Sequence, residues 1–228
     1  MPNYIGPYDD QTPAEPADEY WLARRRLAAL VRQLNEAVVS VSASEAELVA
    51  AADALQAPVE QLVNMATAAG RKAQLFEHED NTHAIFHENN PLSGLSSAVA
   101  PPLNLWFDDD RVYGSVTMGW QYEGPPGCVH GGFVAALFDD FLGMGQKLAP
   151  APGFTANLKT RFIKPTPLNR ELRLVGWLAS SEGRKNVMAG EMYVGDVLTA
   201  SCEGLFINMP PDYIANYHNR LQETDGAG

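Results

Sequence analysis

One apolar helical segment set among long, turn-bounded strands limits this chain to few folds. The segment opens at Gly127-Cys128-Val129-His130-Gly131-Gly132 and runs through Phe133-Val134-Ala135-Ala136-Leu137-Phe138-Asp139-Asp140 to about Gly145. Pro125-Pro126-Gly127 stops whatever strand comes before. Leu137, Phe138, Phe141 and Leu142 supply bulk. Gly132, Ala136, Asp139 and Gly143 recur at helical spacing and make a face of small side chains holding one carboxylate. Strands are expected at 103–107 and 111–118, joined by Asp108-Asp109-Asp110, and again at 154–163, 171–180, 185–194 and 197–207. Their later joints are Pro165-Thr166-Pro167, Ser181-Glu182-Gly183 and Gly195-Asp196, so the sheet should be mostly antiparallel. One helix among about six long strands implies an α+β domain whose sheet curls around that helix.

The first hundred residues read differently. Residues 1–17 form an acidic, proline-containing tail expected to be disordered. Asp18 can cap a helix reaching about Val39, with Trp21, Leu22, Leu27, Leu30, Val31 and Leu34 on an apolar stripe and Arg24-Arg25-Arg26 on its wet side. Ser44 and Glu47 make a capping box. The helix it opens is expected to break near Pro58 and resume to about Ala69. Residues 70–102 are irregular and hold His78, His83 and His87. His83 and His87 could share a helix face, but Ala84 stands where a zinc-protease pattern needs glutamate, and no metal is expected. The organisation is then 1–100, an acidic tail and helical extension; 101–210, the main domain; and 211–228, a C-terminal tail.

Charge and composition exclude several classes. A net charge of −12 argues against nucleic-acid binding. No run of about eighteen apolar residues exists, so no membrane span is expected. Residues 1–20 lack the charged-then-apolar layout of a secretory signal. Cys128 and Cys202 build no disulfide framework, and a reducing cytoplasm is the expected setting. Within 147–185, however, eight lysines and arginines face only Glu171 and Glu182. That window suits either solvated strand edges or a small polyanion such as the phosphates of a nucleotide-like carrier.

The helix start has its own chemistry. Its first amides lack intrahelical partners, and the positive end of the helix dipole lies behind them, a setting for an oxygen that gains negative charge. Asp139 is either a helix-edge carboxylate in water or a catalytic group; this stretch alone leaves both open. Cys128, two residues from His130, makes a poor nucleophile–base pair, because residues so placed in a turn seldom face each other.

Three motifs in order carry a resemblance: His130-Gly131-Gly132 with Asp139 nine residues after the histidine, Thr155-Ala156-Asn157-Leu158, and Gly183-Arg184-Lys185. With them, residues 103–207 resemble a hotdog-fold thioesterase of the PaaI-like, thioesterase-superfamily-member-4-like type. The resemblance implies an antiparallel sheet wrapped around one long helix. It implies chains paired edge to edge as a homodimer, with a dimer of dimers as an option, and active sites at the interface. The implied substrate is an acyl-coenzyme A, cleaved to acid and free thiol; coenzyme A enters only as substrate, with no metal or redox cofactor. Carried over by position, Asp139 is the general base or nucleophile. Thr155, from the partner chain, holds the water or assists Asp139. The amide of Gly132 or a neighbour at the helix start faces the thioester oxygen, Gly131 is a substrate contact, and His130 orders that turn or hydrogen-bonds near the carbonyl. Asn157, expected on the same strand face as Thr155, is a secondary polar contact. Arg184 and Lys185 meet the coenzyme A phosphates. Two other readings share the fold: a non-catalytic acyl-CoA-binding or regulatory module whose extension recognises a partner, and a dehydratase or hydratase, which His130-Gly131-Gly132 fits poorly.

Overall fold

The computed structural model describes residues 19–65 and 88–208. The expected N-terminal tail, the second helix beyond Met65, His78, His83, His87 and the C-terminal tail lie outside the described residues. In chain order the elements are α1 (Glu19–Ser40), α2 (Glu45–Val63), β1 (Asn104–Asp108), β2 (Arg111–Thr117), α3 (Gly131–Gly145), β3 (Gly153–Phe162), β4 (Glu171–Glu182), β5 (Lys185–Val194) and β6 (Val197–Asn208). Short 3₁₀ turns lie at Trp120–Tyr122 and Gln146–Leu148. All strands join one sheet in the order β1-β2-β4-β5-β6-β3, every neighbouring pair antiparallel.

The order follows from one long excursion. After the β1–β2 hairpin the chain forms α3 and lays β3 at the far edge of the sheet. It then returns to the middle with β4, and the β4–β5–β6 meander closes against β3. Gly183 and Gly195 turn the two meander hairpins at positive φ, where a side chain would be strained. One face of the sheet packs on α3: Leu172, Leu174, Met188, Met192, Ala200, Cys202 and Phe206 are buried against Val134, Leu137, Phe138, Phe141 and Leu142. Each such large side chain contributes about 1.5–3 kcal/mol by leaving water. Gly176 and Gly190 stand opposite each other in register and leave room for the helix. A β-carbon at Gly176 would lie 2.8 Å from Phe141 Cε1 and 2.9 Å from Val112 Cγ1. The rings of α3 therefore sit in a trough that only glycine permits at its floor.

Two expectations about the extension are corrected. α1 docks through donors on the side expected to be wet as well as through part of its apolar stripe. Arg25 pairs with buried Glu88 (Nε to Oε1, 2.9 Å), Arg32 Nη1 donates to the carbonyls of Leu95 and Ser97, and Asn35 Nδ2 donates to that of Ala98. Of the stripe, Trp21 is buried and Val31 and Leu34 are half-buried, while Leu22, Leu27 and Leu30 stay exposed. The irregular 88–99 stretch offers carbonyls without ladder partners, and these recruit donors from α1. α2 runs unbroken through Pro58. Every residue around that proline is exposed, so the carbonyl it leaves unbonded can be hydrated. Among the described residues no helix is long and apolar enough to cross a membrane.

Candidate active site

The start of α3 is held from two directions. The His130 amide donates to the Tyr122 carbonyl at 2.9 Å, fixing the helix to the preceding 3₁₀ turn. His130 itself is the N-cap, extended at φ −60° and ψ 132°, and its Nδ1 accepts from the Gly132 amide at 3.0 Å. That acceptance places the ring proton on Nε2. The Phe133 amide returns to the His130 carbonyl at 2.9 Å. The amide expected to face a thioester oxygen, that of Gly132, is thus already donated to His130. The Gly131 amide donates to no group among the described residues. The Phe162 ring lies over this turn; a β-carbon at Gly131 would sit 3.3 Å from its Cζ. Tyr122 packs edge-on against Phe133 at 4.9 Å and donates its hydroxyl to the Val99 carbonyl at 3.0 Å. Burial pushes that phenol up to about 12, so it stays a neutral donor.

Two turns further along α3, Asp139 meets Thr155. The threonine Oγ1 donates to Asp139 Oδ1 at 2.9 Å, and both residues are exposed. The expectation that this hydroxyl comes from a partner chain is corrected: β3 runs alongside α3 at the sheet edge, so both groups belong to one chain. Gly132 and Asp139 are exposed on one side of α3 with half-buried Ala136 and Gly143 beside them, and a β-carbon at Gly143 would meet nothing within 4 Å. The face of small side chains therefore looks outward. Asp140 points elsewhere, as adjacent helical residues must, and accepts from Asn90 Nδ2 at 2.6 Å. Below the pair, burial pushes the Cys202 thiol up and the nearby Asp139 charge adds to the shift, so Cys202 stays a neutral packing residue.

Asn157 does not share a face with Thr155. β3 carries a bulge between them, so Thr155 pairs with Phe206 while Asn157 pairs with Leu205. Phe206 faces the core and its neighbour Leu205 the other side, which sends Asn157 to the outer surface of the sheet. Arg184 and Lys185 form the exposed tip of the β4–β5 hairpin, and Arg184 donates from Nε and Nη2 to the Asn208 carbonyl at 3.2 and 3.0 Å. The rung through Lys185, Ile207 and Phe154 adjoins the rung of Thr155, so the basic tip lies at the Asp139–Thr155 end of the sheet. Two strand spacings, roughly 10 Å, separate β5 from β3.

Two supporting side chains carried no sequence signal. Gln146, buried at the end of α3, accepts from the Gly153 amide at 2.8 Å and donates to the Gly153 carbonyl at 3.0 Å. It ties the helix that bears Asp139 to the strand that bears Thr155. Glu36 on α1 accepts from the amides of Trp120 and Gln121. Neither is visible locally, because each partner is non-adjacent in sequence and is backbone. A cleft of about 480 Å³ between α1 and Pro101-Pro102, lined by Arg32, Glu36, Thr117 and Gln121 among others, lacks Asp139, Thr155 and the α3 start. Among the described residues no group of three or more His, Cys, Asp or Glu is placed to hold a metal ion.

No family model matches the chain. It is 32% identical over 95 residues to acyl-coenzyme A thioesterase THEM4 of Xenopus laevis, covering 41% of this chain and 43% of that protein. It is 35% identical over 96 residues to the THEM4 enzyme of Rattus norvegicus, covering 41% of each. The chain thus spans less than half the length of these curated relatives. A solved structure of a thioesterase superfamily protein is 33% identical, with a TM-score of 0.68, over 81% of this chain and 94% of that one. Residues 101–228 make up little more than half of the sequence, so this likeness extends into the first hundred residues.

Proposed function

Because this chain belongs to the thioesterase superfamily, we propose that it hydrolyses an acyl-coenzyme A thioester to the free acid and coenzyme A. The observation that carries the reading is the 2.9 Å hydrogen bond from Thr155 to Asp139 on an open face of small side chains. Thr155 holds Oδ1, which leaves Oδ2 to act. As general base, Asp139 takes a proton from water while the water oxygen bonds to the thioester carbon. The tetrahedral oxyanion then collapses, the carbon–sulfur bond breaks, and the thiolate leaves with the proton from Asp139. As nucleophile, Asp139 would form an anhydride that water cleaves to the same products.

Gly132 and Asp139 are seven residues apart on one helix, an axial distance of about 10 Å. Reacting groups must come within about 3–3.5 Å of one carbonyl, so a single chain cannot supply both to one thioester. A complete centre takes Asp139 and Thr155 from one copy and the start of α3 from another. β3 supports this arrangement, as an edge strand with Phe154 and Phe162 55% and 60% exposed. In the homodimer the two β3 edges pair into one sheet. The acyl oxygen takes the Gly131 amide, or that of Gly132 in place of His130 Nδ1, and the Arg184-Lys185 tip meets the phosphates of coenzyme A.

The test is thiol release across acyl-coenzyme A substrates of several lengths and aromatic types. Asp139→Asn should lower kcat by about 100-fold or more, and Thr155→Val by about 10-fold, with folding intact because both sites are exposed. Wild-type turnover by Asp139→Asn rejects the assignment.

A further inference from the structure

We propose that Glu36, on the N-terminal helix, is a positioning residue for the turn that carries His130, Gly131 and Gly132. The kinetic part of this inference rests on the thioesterase reading; the structural part does not. Glu36 accepts from the Trp120 amide at 2.9 Å and from the Gln121 amide at 3.2 Å. These are opening amides of a 3₁₀ turn, which find no acceptor within the turn itself. A carboxylate holds them more firmly than a neutral acceptor would. Gly119, just before them, is part of the fit, because a β-carbon there would collide with the Glu36 carboxylate.

The turn passes this position on through Tyr122. Its carbonyl accepts the His130 amide at 2.9 Å, its ring packs on Phe133 at 4.9 Å, and its hydroxyl is fixed on Val99. His130 in turn caps α3 and holds the Gly132 amide. A continuous path thus runs from the α1 carboxylate to the amides assigned to the thioester oxygen. The other α1 anchors, Arg25, Arg32 and Asn35, hydrogen-bond to the 88–98 stretch and not to this turn. Glu36 can therefore be separated from the general task of holding α1 in place. The extension gains a role: it sets the geometry of a site to which it contributes no reacting group.

The experiment compares Glu36→Ala, Glu36→Gln and Asn35→Ala in the full chain. Steady-state thiol release is measured, and hydrogen exchange is followed in the peptide covering 119–134. Glu36→Ala should speed exchange at the His130, Gly132 and Phe133 amides and lower kcat, each by about 10-fold, with little change in KM. Glu36→Gln, which keeps one acceptor oxygen, should restore most of the loss. Asn35→Ala, which removes one docking bond but leaves the turn, should match wild type in both readouts. Unchanged exchange in Glu36→Ala overturns the inference whatever the activity, as does faster exchange with wild-type kcat, or an equal loss in Asn35→Ala. A wild-type protein inactive on every thioester removes the proposed function, and the exchange data still decide whether Glu36 holds the turn.

Discussion

Replacing Gln146 by methionine would cut the clamp between the end of α3 and the start of β3. The side chain is 4% exposed, and its amide is matched on both sides by the Gly153 backbone, at 2.8 and 3.0 Å. Methionine has a similar volume, so little cavity should form and the effect isolates the hydrogen bonds. Each bond contributes about 1 kcal/mol net, and leaving a buried donor and acceptor unpaired adds to the loss, for a total of about 2–3 kcal/mol. In a chain of this size 1 kcal/mol moves Tm by about 2–4 °C, so a fall of about 5–10 °C is expected. The freed strand start lies two residues from Thr155, so kcat should fall while KM holds. Thermal unfolding followed by circular dichroism reads the first quantity and thiol release the second. A Tm within about 2 °C of wild type would refute the view that this clamp sets the spacing of helix and edge strand.

Other perturbations probe separate parts of the molecule. Gly176→Ala would drive a methyl into Phe141 and Val112 and should cost about 1–3 kcal/mol in urea unfolding; a neutral result means the trough can widen. Arg184→Ala combined with Lys185→Ala should raise KM for acyl-coenzyme A but not for a short thioester lacking the nucleotide, and equal effects on both would remove the phosphate contact. Arg25→Leu leaves buried Glu88 without its cation and should destabilise by about 3 kcal/mol, whereas Arg26→Leu, at an exposed position, should stay within about 0.5 kcal/mol; similar losses in the two would show that α1 is not held by this pair.

The sequence was most legible where punctuation and periodicity agree. α3 begins at the glycine pair and ends at Gly145, as expected, and the six strands fall within two residues of their predicted ends. The α1 stripe holds only in part, with Leu22, Leu27 and Leu30 exposed, because hydrophobic spacing marks an apolar stripe whether or not anything covers it. The polar groups that dock α1 are carbonyls and one carboxylate more than sixty residues away, which leave no local trace. Gly176 and Gly190 give the helix its depth in the sheet, a role that only the pairing of β4 with β5 makes visible. At the site, Asp139 and Thr155 were visible as residues, but their meeting within one chain was not. That pairing depends on β3 lying at the sheet edge beside α3, a matter of strand order and not of spacing.

The irregularity at Ala156 has a consequence for the whole of β3. A strand alternates with strict parity, so one inserted residue reverses the phase of everything beyond it. With the insertion, Leu158, Thr160 and Phe162 turn toward the helix, and Lys159 and Arg161 turn away. Without it, two cations would be buried under α3 and the aromatic ring beside Gly131 would swing to the opposite surface. One alanine thus lets a single strand present a hydroxyl to the carboxylate at one end and an oily wall to the glycines at the other.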